Sequence, residues 1–214
     1  MNTKKILFLL LSVVIFLNFK VLAQKKYGAT PKDSVECVKN LSLYKEFFDH
    51  KNYIAALDPW RWCFFNCPQS SENIFIRGTN IISYFIDNSK DSITKDRYID
   101  TLMMVYDKRI EFFGKNPTSR EGLVLGRKGI DLKKYKPNNV KEIYNIFKRS
   151  VELEKEKSIS AVLTYYFEYT IKMVKEGFAD TSIIINSYIP VMDYIEYNIK
   201  NNPNDTIFYP SAKI

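Results

Sequence analysis

Hydrophobic residues recur along most of this chain at three- and four-residue steps, the spacing of an amphipathic α-helix. The first clear stretch follows the helix-start signal Thr30-Pro31 and ends at about Asp49. Its apolar positions are Val38, Leu41, Tyr44 and Phe48. Proline fits a first helical turn, because the N–H that it lacks would have no partner there. The pattern therefore predicts a helix that buries one face against a neighbour.

Similar patterns, separated by short breakers rich in glycine, asparagine and proline, predict seven more helices. Their expected bounds are 53–66, 72–88, 95–113, 121–135, 140–153, 160–176 and 181–201. Pro59 and Pro190 fall inside two of these helices, where each should remove one backbone hydrogen bond and bend the helix. Helices joined by such short breakers pair into about four antiparallel hairpins, so the series predicts an all-α fold.

Composition agrees with one globular helical domain, which we place at residues 24–201, followed by a C-terminal tail, 202–214. Hydrophobic residues make up 46% of the 214 positions, which is enough for a sizeable core. Only seven glycines and eight prolines are present, and this excludes a collagen-like or turn-rich β architecture.

The first hairpin carries the pattern of a tetratricopeptide repeat (TPR). Ala56 is followed after four residues by Trp60 and after eight more by Pro68. The small side chain lets two helices approach, the aromatic ring fills the space between hairpins, and the proline directs the chain into the next unit. Leu125-Gly126 fits a later unit, while the other hairpins fit poorly. The sequence predicts a short TPR-like helical-hairpin solenoid, with an irregular helical bundle as the alternative.

Five short phrases are spread along the chain: YGATP at 27–31, NLSLY at 40–44, LMMVYD at 102–107, VLGRKG at 124–129 and SVEL at 150–153. They resemble exported TPR proteins of Bacteroidota cell envelopes. The resemblance extends over nearly all of residues 27–201. It implies a helical-repeat fold and a location in the cell envelope, and it supplies no catalytic residues.

Stacked hairpins of this kind usually line a concave groove with their first helices. On that basis the candidate groove residues are Leu41, Lys45, Phe48, Phe75 and Thr79. Trp62 and Phe65 lie off the face that carries Trp60, so they are the aromatic residues expected to meet either the following helix or an external ligand.

The N-terminus reads as a cleaved signal peptide, residues 1–23. Lys4 and Lys5 precede an apolar run over residues 6–16, and Ala23 offers a small residue for cleavage before Gln24. The run is shorter than the ~20 residues needed to span a bilayer. We therefore expect an exported protein of the periplasm or cell envelope, without a stable membrane span after cleavage.

Three cysteines in an exported chain favour a disulfide. Cys37 lies near the start of the first helix and Cys67 lies at the end of the antiparallel second helix, so the hairpin should bring the two together. Cys63 lies on the face of Ala56 and Trp60 and should be a buried packing residue. The sequence predicts a Cys37–Cys67 disulfide; a redox or metal pair of Cys63 with Cys67 lacks the usual two-residue spacing.

Charge adds one local feature. The chain carries a net charge of +8, and loss of the signal-peptide lysines Lys4, Lys5 and Lys20 leaves +5. Residues 127–149 alone carry +6, so the rest of the mature chain sums to −1, and the candidate basic patch comprises Arg127, Lys128, Lys133 and Lys134. It is either a solvated helical face or a site for an anionic partner, such as an acidic protein or envelope polymer. We expect no nucleic-acid ligand.

Catalytic chemistry has little support. The only histidine is His50, in a predicted turn, so a two-histidine metal site is excluded and no nucleophile, base and orienting residue converge. Gly126 and Gly129 are interpreted as packing glycines, and the acidic pair Glu152 and Glu154 as helix surface. We expect no catalytic residues, metal or cofactor.

The leading hypothesis is a non-enzymatic interaction module that holds an envelope protein or peptide in a TPR-type groove. The alternative is an envelope glycan-binding helical-repeat protein, with exposed rings such as Trp62 stacked on sugar faces. A hydrolase that depends on His50 is a distant third.

Overall fold

A computed structural model of the protein describes residues 26–201. The predicted signal peptide, 1–23, and the predicted tail, 202–214, lie outside the described residues. Eight α-helices lie wholly within the described range, and this range contains no β-strand. They are α1 (Pro31–Asp49), α2 (Tyr53–Asn66), α3 (Asn73–Asn88), α4 (Ser92–Phe113), α5 (Glu121–Tyr135), α6 (Val140–Glu154), α7 (Ser160–Lys175) and α8 (Ser182–Asn201). Helices packed in consecutive pairs confirm the predicted all-α, helical-hairpin fold class.

Local capping residues explain why the helices begin where they do. The Thr30 hydroxyl accepts a hydrogen bond from the Asp33 N–H at 3.1 Å, and the Asp33 carboxylate accepts one from the Thr30 N–H at 3.0 Å. This reciprocal capping box starts α1. The side chain of Asn52 caps α2 in the same way, accepting from the Ala55 N–H.

One predicted helix start is late by about a turn. Residues 91–94 were expected to be a break before a helix at 95, yet α4 begins at Ser92. The Asp91 carboxylate accepts a hydrogen bond from the Thr94 N–H at 2.8 Å, which satisfies a donor that the first turn leaves unpaired. Asp91 is therefore a capping residue rather than part of the loop.

By contact, the chain divides into two units, with a boundary between Tyr98 and Ile99 inside α4. In the first unit, α1 packs antiparallel to α2, and α3 packs on α2. Trp60 lies at the centre of this packing with 1% of its surface exposed, and its indole N–H donates to the Ile74 carbonyl at 2.7 Å. The indole also occupies the space beside Gly78, where a Cβ atom would lie 2.7 Å from Nε1.

The disulfide of the first hairpin is present as predicted. Cys37 and Cys67 are bonded across the ends of α1 and α2, with their Cα atoms 6.2 Å apart. Cys63 is a free, buried cysteine, and burial raises the pKa of its thiol to about 12. A thiol in that environment stays protonated and unreactive at neutral pH.

In the second unit, three glycines let α5 approach its neighbours closely. A Cβ atom on Gly122, Gly126 or Gly129 would lie within 3.0 Å of Glu154, Val162 or Phe147 respectively. These glycines are four and three residues apart, so they lie on one face of α5. The interpretation of Gly126 and Gly129 as packing glycines is confirmed.

We expect Gly129→Ala to destabilise the protein by about 1–2 kcal/mol, although alanine is the better helix former. The added methyl would lie 2.6 Å from Cε1 of Phe147, a fully buried ring with little freedom to move. Urea unfolding followed by circular dichroism measures the loss. Because Phe147→Leu shortens the opposing side chain, the double variant should recover part of the free energy of unfolding that Gly129→Ala loses. If the losses of the two single variants simply add in the double variant, the packing argument is contradicted.

The burial of Glu154 corrects a further prediction. The pair Glu152 and Glu154 was interpreted as helix surface, but the side chain of Glu154 is only 4% exposed. Arg120 donates to both of its carboxylate oxygens: Nε lies 3.1 Å from Oε1 and 2.9 Å from Oε2, and Nη2 lies 2.5 Å from Oε2. A buried carboxylate is tolerated here because this guanidinium satisfies it.

Candidate functional site

A cavity of about 310 Å³ opens in the second unit between α6, α7 and α8. This volume lies at the lower end of the range for small-ligand sites, about 300–1,000 Å³. The lining residues are Tyr144, Lys148, Val151 and Glu152 from α6, Tyr166 from α7, and Ile183, Asn186, Ser187, Pro190 and Tyr194 from α8.

Helical periodicity explains how these residues come to share one site. The four residues of α6 are separated by four, three and one positions, so they lie on a single helical face. The five residues of α8 are separated by three, one, three and four positions, so they also lie on one helical face. Tyr166, from the helix between them, lies at the bottom of the cleft.

The floor of the cavity is a pair of buried tyrosines. The rings of Tyr144 and Tyr166 stack with centroids 5.9 Å apart and planes at 29°. Burial raises the pKa of Tyr166, and the hydrogen-bonded phenol of Tyr144 and the carboxylate of Glu152 add to the rise. The Tyr166 phenol therefore stays neutral, and one face of each ring is turned toward the other ring.

The rim of the cavity has no net charge. Lys148 Nζ lies 3.9 Å from a carboxylate oxygen of Glu152, one turn away on α6, and both side chains are about half exposed. A pair of this kind contributes little stability and is easily separated. Val151, Ile183 and Pro190 add apolar surface, so the site as a whole is apolar with a few polar groups.

The far end of α8 is tied to the turn that follows α6. The Asn198 side-chain amide donates to the Glu156 carbonyl at 2.6 Å and to the Tyr194 carbonyl at 2.8 Å. Val191 and Ile195 are fully buried in the core of the unit. The α8 side of the cavity is thus held in place by packing and by a buried amide.

The predicted groove residues lie elsewhere, in the first unit. Leu41, Phe48 and Thr79 are half-buried and Lys45 is exposed. Phe75 is wrong as a groove residue because it is fully buried and packs against Phe64 with ring centroids 5.7 Å apart. Helical spacing put Phe75 on an apolar face, but that face meets α2.

Phe48 and Lys45 nevertheless belong to a small charged and aromatic cluster on the first unit. The Arg77 guanidinium lies 5.2 Å from the Phe48 ring centroid and 3.6 Å from a carboxylate oxygen of Asp49. Lys45 donates to the same carboxylate at 3.0 Å, and this bond, with both cations, lowers the pKa of Asp49. One carboxylate is thus shared by the two cations, Lys45 and Arg77, and this cluster keeps a single positive charge in excess.

The two aromatic residues considered for glycan stacking differ in exposure. Trp62 is half-buried, whereas 63% of the Phe65 surface is exposed. The Phe65 ring meets the Phe64 ring edge-on, with their planes at 85°, so Phe64 and Phe65 do not form a flat platform.

The candidate basic patch, which comprises Arg127, Lys128, Lys133 and Lys134, is divided by local pairing. Lys128 Nζ lies 2.5 Å from the carboxylate of Asp107. Lys133 lies 3.4 Å from Glu168 and above the ring of Tyr165. Two of the four charges are therefore compensated within the fold, while Arg127 and Lys134 are exposed.

Groups that could support catalysis or bind metal are sparse. His50 is exposed at the C-terminal end of α1. Within residues 26–201, no cluster of three or more histidine, cysteine, aspartate or glutamate side chains is arranged to hold a metal ion. None of the helices described is both long and apolar enough to cross a membrane.

Sequence reasoning missed the cavity residues. One signal for them was present: Pro190 lies within a helical pattern, and it was interpreted only as a bend.

No protein family, no curated protein and no solved structure matches the chain.

Proposed function

We propose that this protein is an exported, non-enzymatic interaction module that binds a peptide segment of a cell-envelope protein. The observation that carries the proposal is the cavity between α6, α7 and α8, with its largely apolar lining and a rim on which Lys148 and Glu152 balance each other's charge. Such a site suits an apolar side chain of a peptide, with the rim groups available to the peptide backbone. In this proposal the helical hairpins are TPR-type units of the Bacteroidota envelope group that the sequence resembles.

Export is supported by the signal-like N-terminus and by the disulfide of the first hairpin, because disulfides persist in oxidising compartments. A peptide ligand has more support than a glycan, since Tyr144 and Tyr166 are largely buried and one face of each ring is turned toward the other. Glycan binding usually needs an open aromatic face. Two of the four charges of the basic patch, those of Lys128 and Lys133, are compensated within the fold, which gives an anionic polymer less support as well.

A cavity-blocking variant tests the proposal. The mature chain, residues 24–214, is used to select peptides from a random phage-displayed library, and a selected peptide is synthesised for calorimetry. Asn186 is exposed and lines the cavity, so Asn186→Trp should fill the cavity without disturbing the core and weaken binding at least about tenfold.

Asp193→Trp is the matched control, because Asp193 is an exposed residue of α8 that does not line the cavity. It should bind the peptide as the parent protein does. Selected peptides that bind the parent and Asn186→Trp equally would place binding outside the cavity and contradict the proposal. The same three proteins, used as bait in an envelope extract, then identify the natural partner as one lost only with Asn186→Trp.

A further inference from the structure

Pro190 creates an unusual backbone group in the wall of the cavity. It lies well inside α8, which continues from Ser182 to Asn201. A proline has no N–H, so the helical hydrogen bond from residue 190 to the carbonyl of residue 186 is missing. The Asn186 carbonyl therefore lacks its ordinary helical donor.

Both residues of this interrupted bond line the cavity. Helical carbonyls point along the axis toward the residue four positions later, so the Asn186 carbonyl lies on the stretch of wall between Asn186 and Pro190. The neighbouring hydroxyl of Ser187 donates to the Ile184 carbonyl at 3.0 Å and so does not replace the missing bond. The Lys148 ammonium, on the opposite wall, is directed toward Glu152.

An accepting carbonyl beside apolar surface has a definite chemical preference. A carbonyl that is removed from water without a donor loses its hydrogen bonds, so a ligand that covers this wall binds well only if it supplies an N–H or O–H. Val151, Ile183 and Pro190 supply the adjoining apolar surface. A backbone N–H next to an apolar side chain, which every non-proline residue of a peptide can offer, satisfies both requirements.

We infer that the Asn186 carbonyl is the acceptor for a backbone N–H of the bound peptide, whose apolar side chain sits against Val151, Ile183 and Pro190. The inference rests on the proposed peptide-binding function and assigns its anchoring contact. It gives Pro190 a role in recognition, because the proline keeps the carbonyl available for the ligand.

Pro190→Ala tests the assignment, since alanine restores the N–H that engages the Asn186 carbonyl within the helix. Binding of the synthesised phage-selected peptide should weaken about tenfold, the size expected for one hydrogen bond. The midpoint of thermal unfolding should be no lower than that of the parent, because a helical bond is gained and a helix-breaking residue is lost. A merely structural role for Pro190 does not predict weaker binding together with undiminished stability.

Pro59→Ala is the matched control, because Pro59 also lies inside a helix, α2, and does not line the cavity. It should leave the affinity unchanged. A second arm replaces each backbone amide of the peptide in turn by an ester, which removes one N–H. One ester should weaken binding to the parent about tenfold and have little effect on binding to Pro190→Ala.

The outcomes separate the two proposals. Equal affinity of the parent and Pro190→Ala, with loss in Asn186→Trp, overturns the assignment of the carbonyl and leaves the peptide site standing. Equal loss in Pro59→Ala also overturns the assignment, because the effect would then be a general one of helix rigidity. If the selection yields no peptide that binds the parent protein, both proposals are overturned.

Discussion

Trp60→Ala is expected to destabilise the protein by about 3–5 kcal/mol, the largest effect of any substitution considered for the first unit. The side chain is 1% exposed, so its removal leaves a cavity among α2 and α3. The indole also contacts Phe64, at a ring-centroid distance of 5.3 Å, and donates to the Ile74 carbonyl. Urea unfolding followed by far-ultraviolet circular dichroism measures the free energy of unfolding without depending on tryptophan fluorescence.

Phe65→Ala provides a comparison within the same helix, since Phe65 is 63% exposed and should lose well under 1 kcal/mol, as surface positions do. Trp60→Phe keeps most of the volume and removes the N–H donor, so its loss should fall between the two. Similar losses for Trp60→Ala and Phe65→Ala would contradict the central position of the indole.

Reduction of the Cys37–Cys67 disulfide is expected to lower the free energy of unfolding by about 3–4 kcal/mol. The bond closes a loop with a sequence separation of 30, and its removal frees the unfolded chain to sample more conformations. Denaturation of the mature chain with and without dithiothreitol measures the difference. Cys63→Ala should retain the sensitivity to reductant, whereas Cys67→Ser should abolish it.

Thiol counting checks the same pairing chemically. The oxidised protein should yield no reactive thiol when folded and one after unfolding, because Cys63 is buried and its pKa is raised. Three reactive thiols, or a peptide map with a Cys63–Cys67 bond, would show that the first hairpin is paired differently.

The sequence was a good guide to helices whose ends are set by neighbouring residues. The predicted bounds 53–66 and 121–135 agree with α2 and α5 as observed. Capping side chains, prolines and the 3.6-residue period act within one or two turns, so they can be recognised without knowing the rest of the chain. Asp91 shows the limit of this approach, because a capping residue and a loop residue look alike until the hydrogen bond is seen.

The disulfide of the first hairpin was predictable for a related reason. Two helices joined by a short turn must run antiparallel, so the start of α1 and the end of α2 lie side by side. The local order of the chain is then enough to bring Cys37 to Cys67 and to leave Cys63 in the packed face.

Burial and the site depended on contacts between residues distant in sequence. Periodicity placed Phe75 and Glu154 on helical faces. Only the tertiary structure shows that Phe75 packs against Phe64 and that Arg120 donates to the Glu154 carboxylate. The cavity is lined by residues of α6 and α8 that are more than thirty positions apart in the sequence, together with Tyr166 of α7. The sequence by itself determined the helices, their pairing and the disulfide, since these follow from interactions within a hairpin. The tertiary structure alone decided which faces are covered and which remain open, because burial depends on what the rest of the chain places opposite each residue.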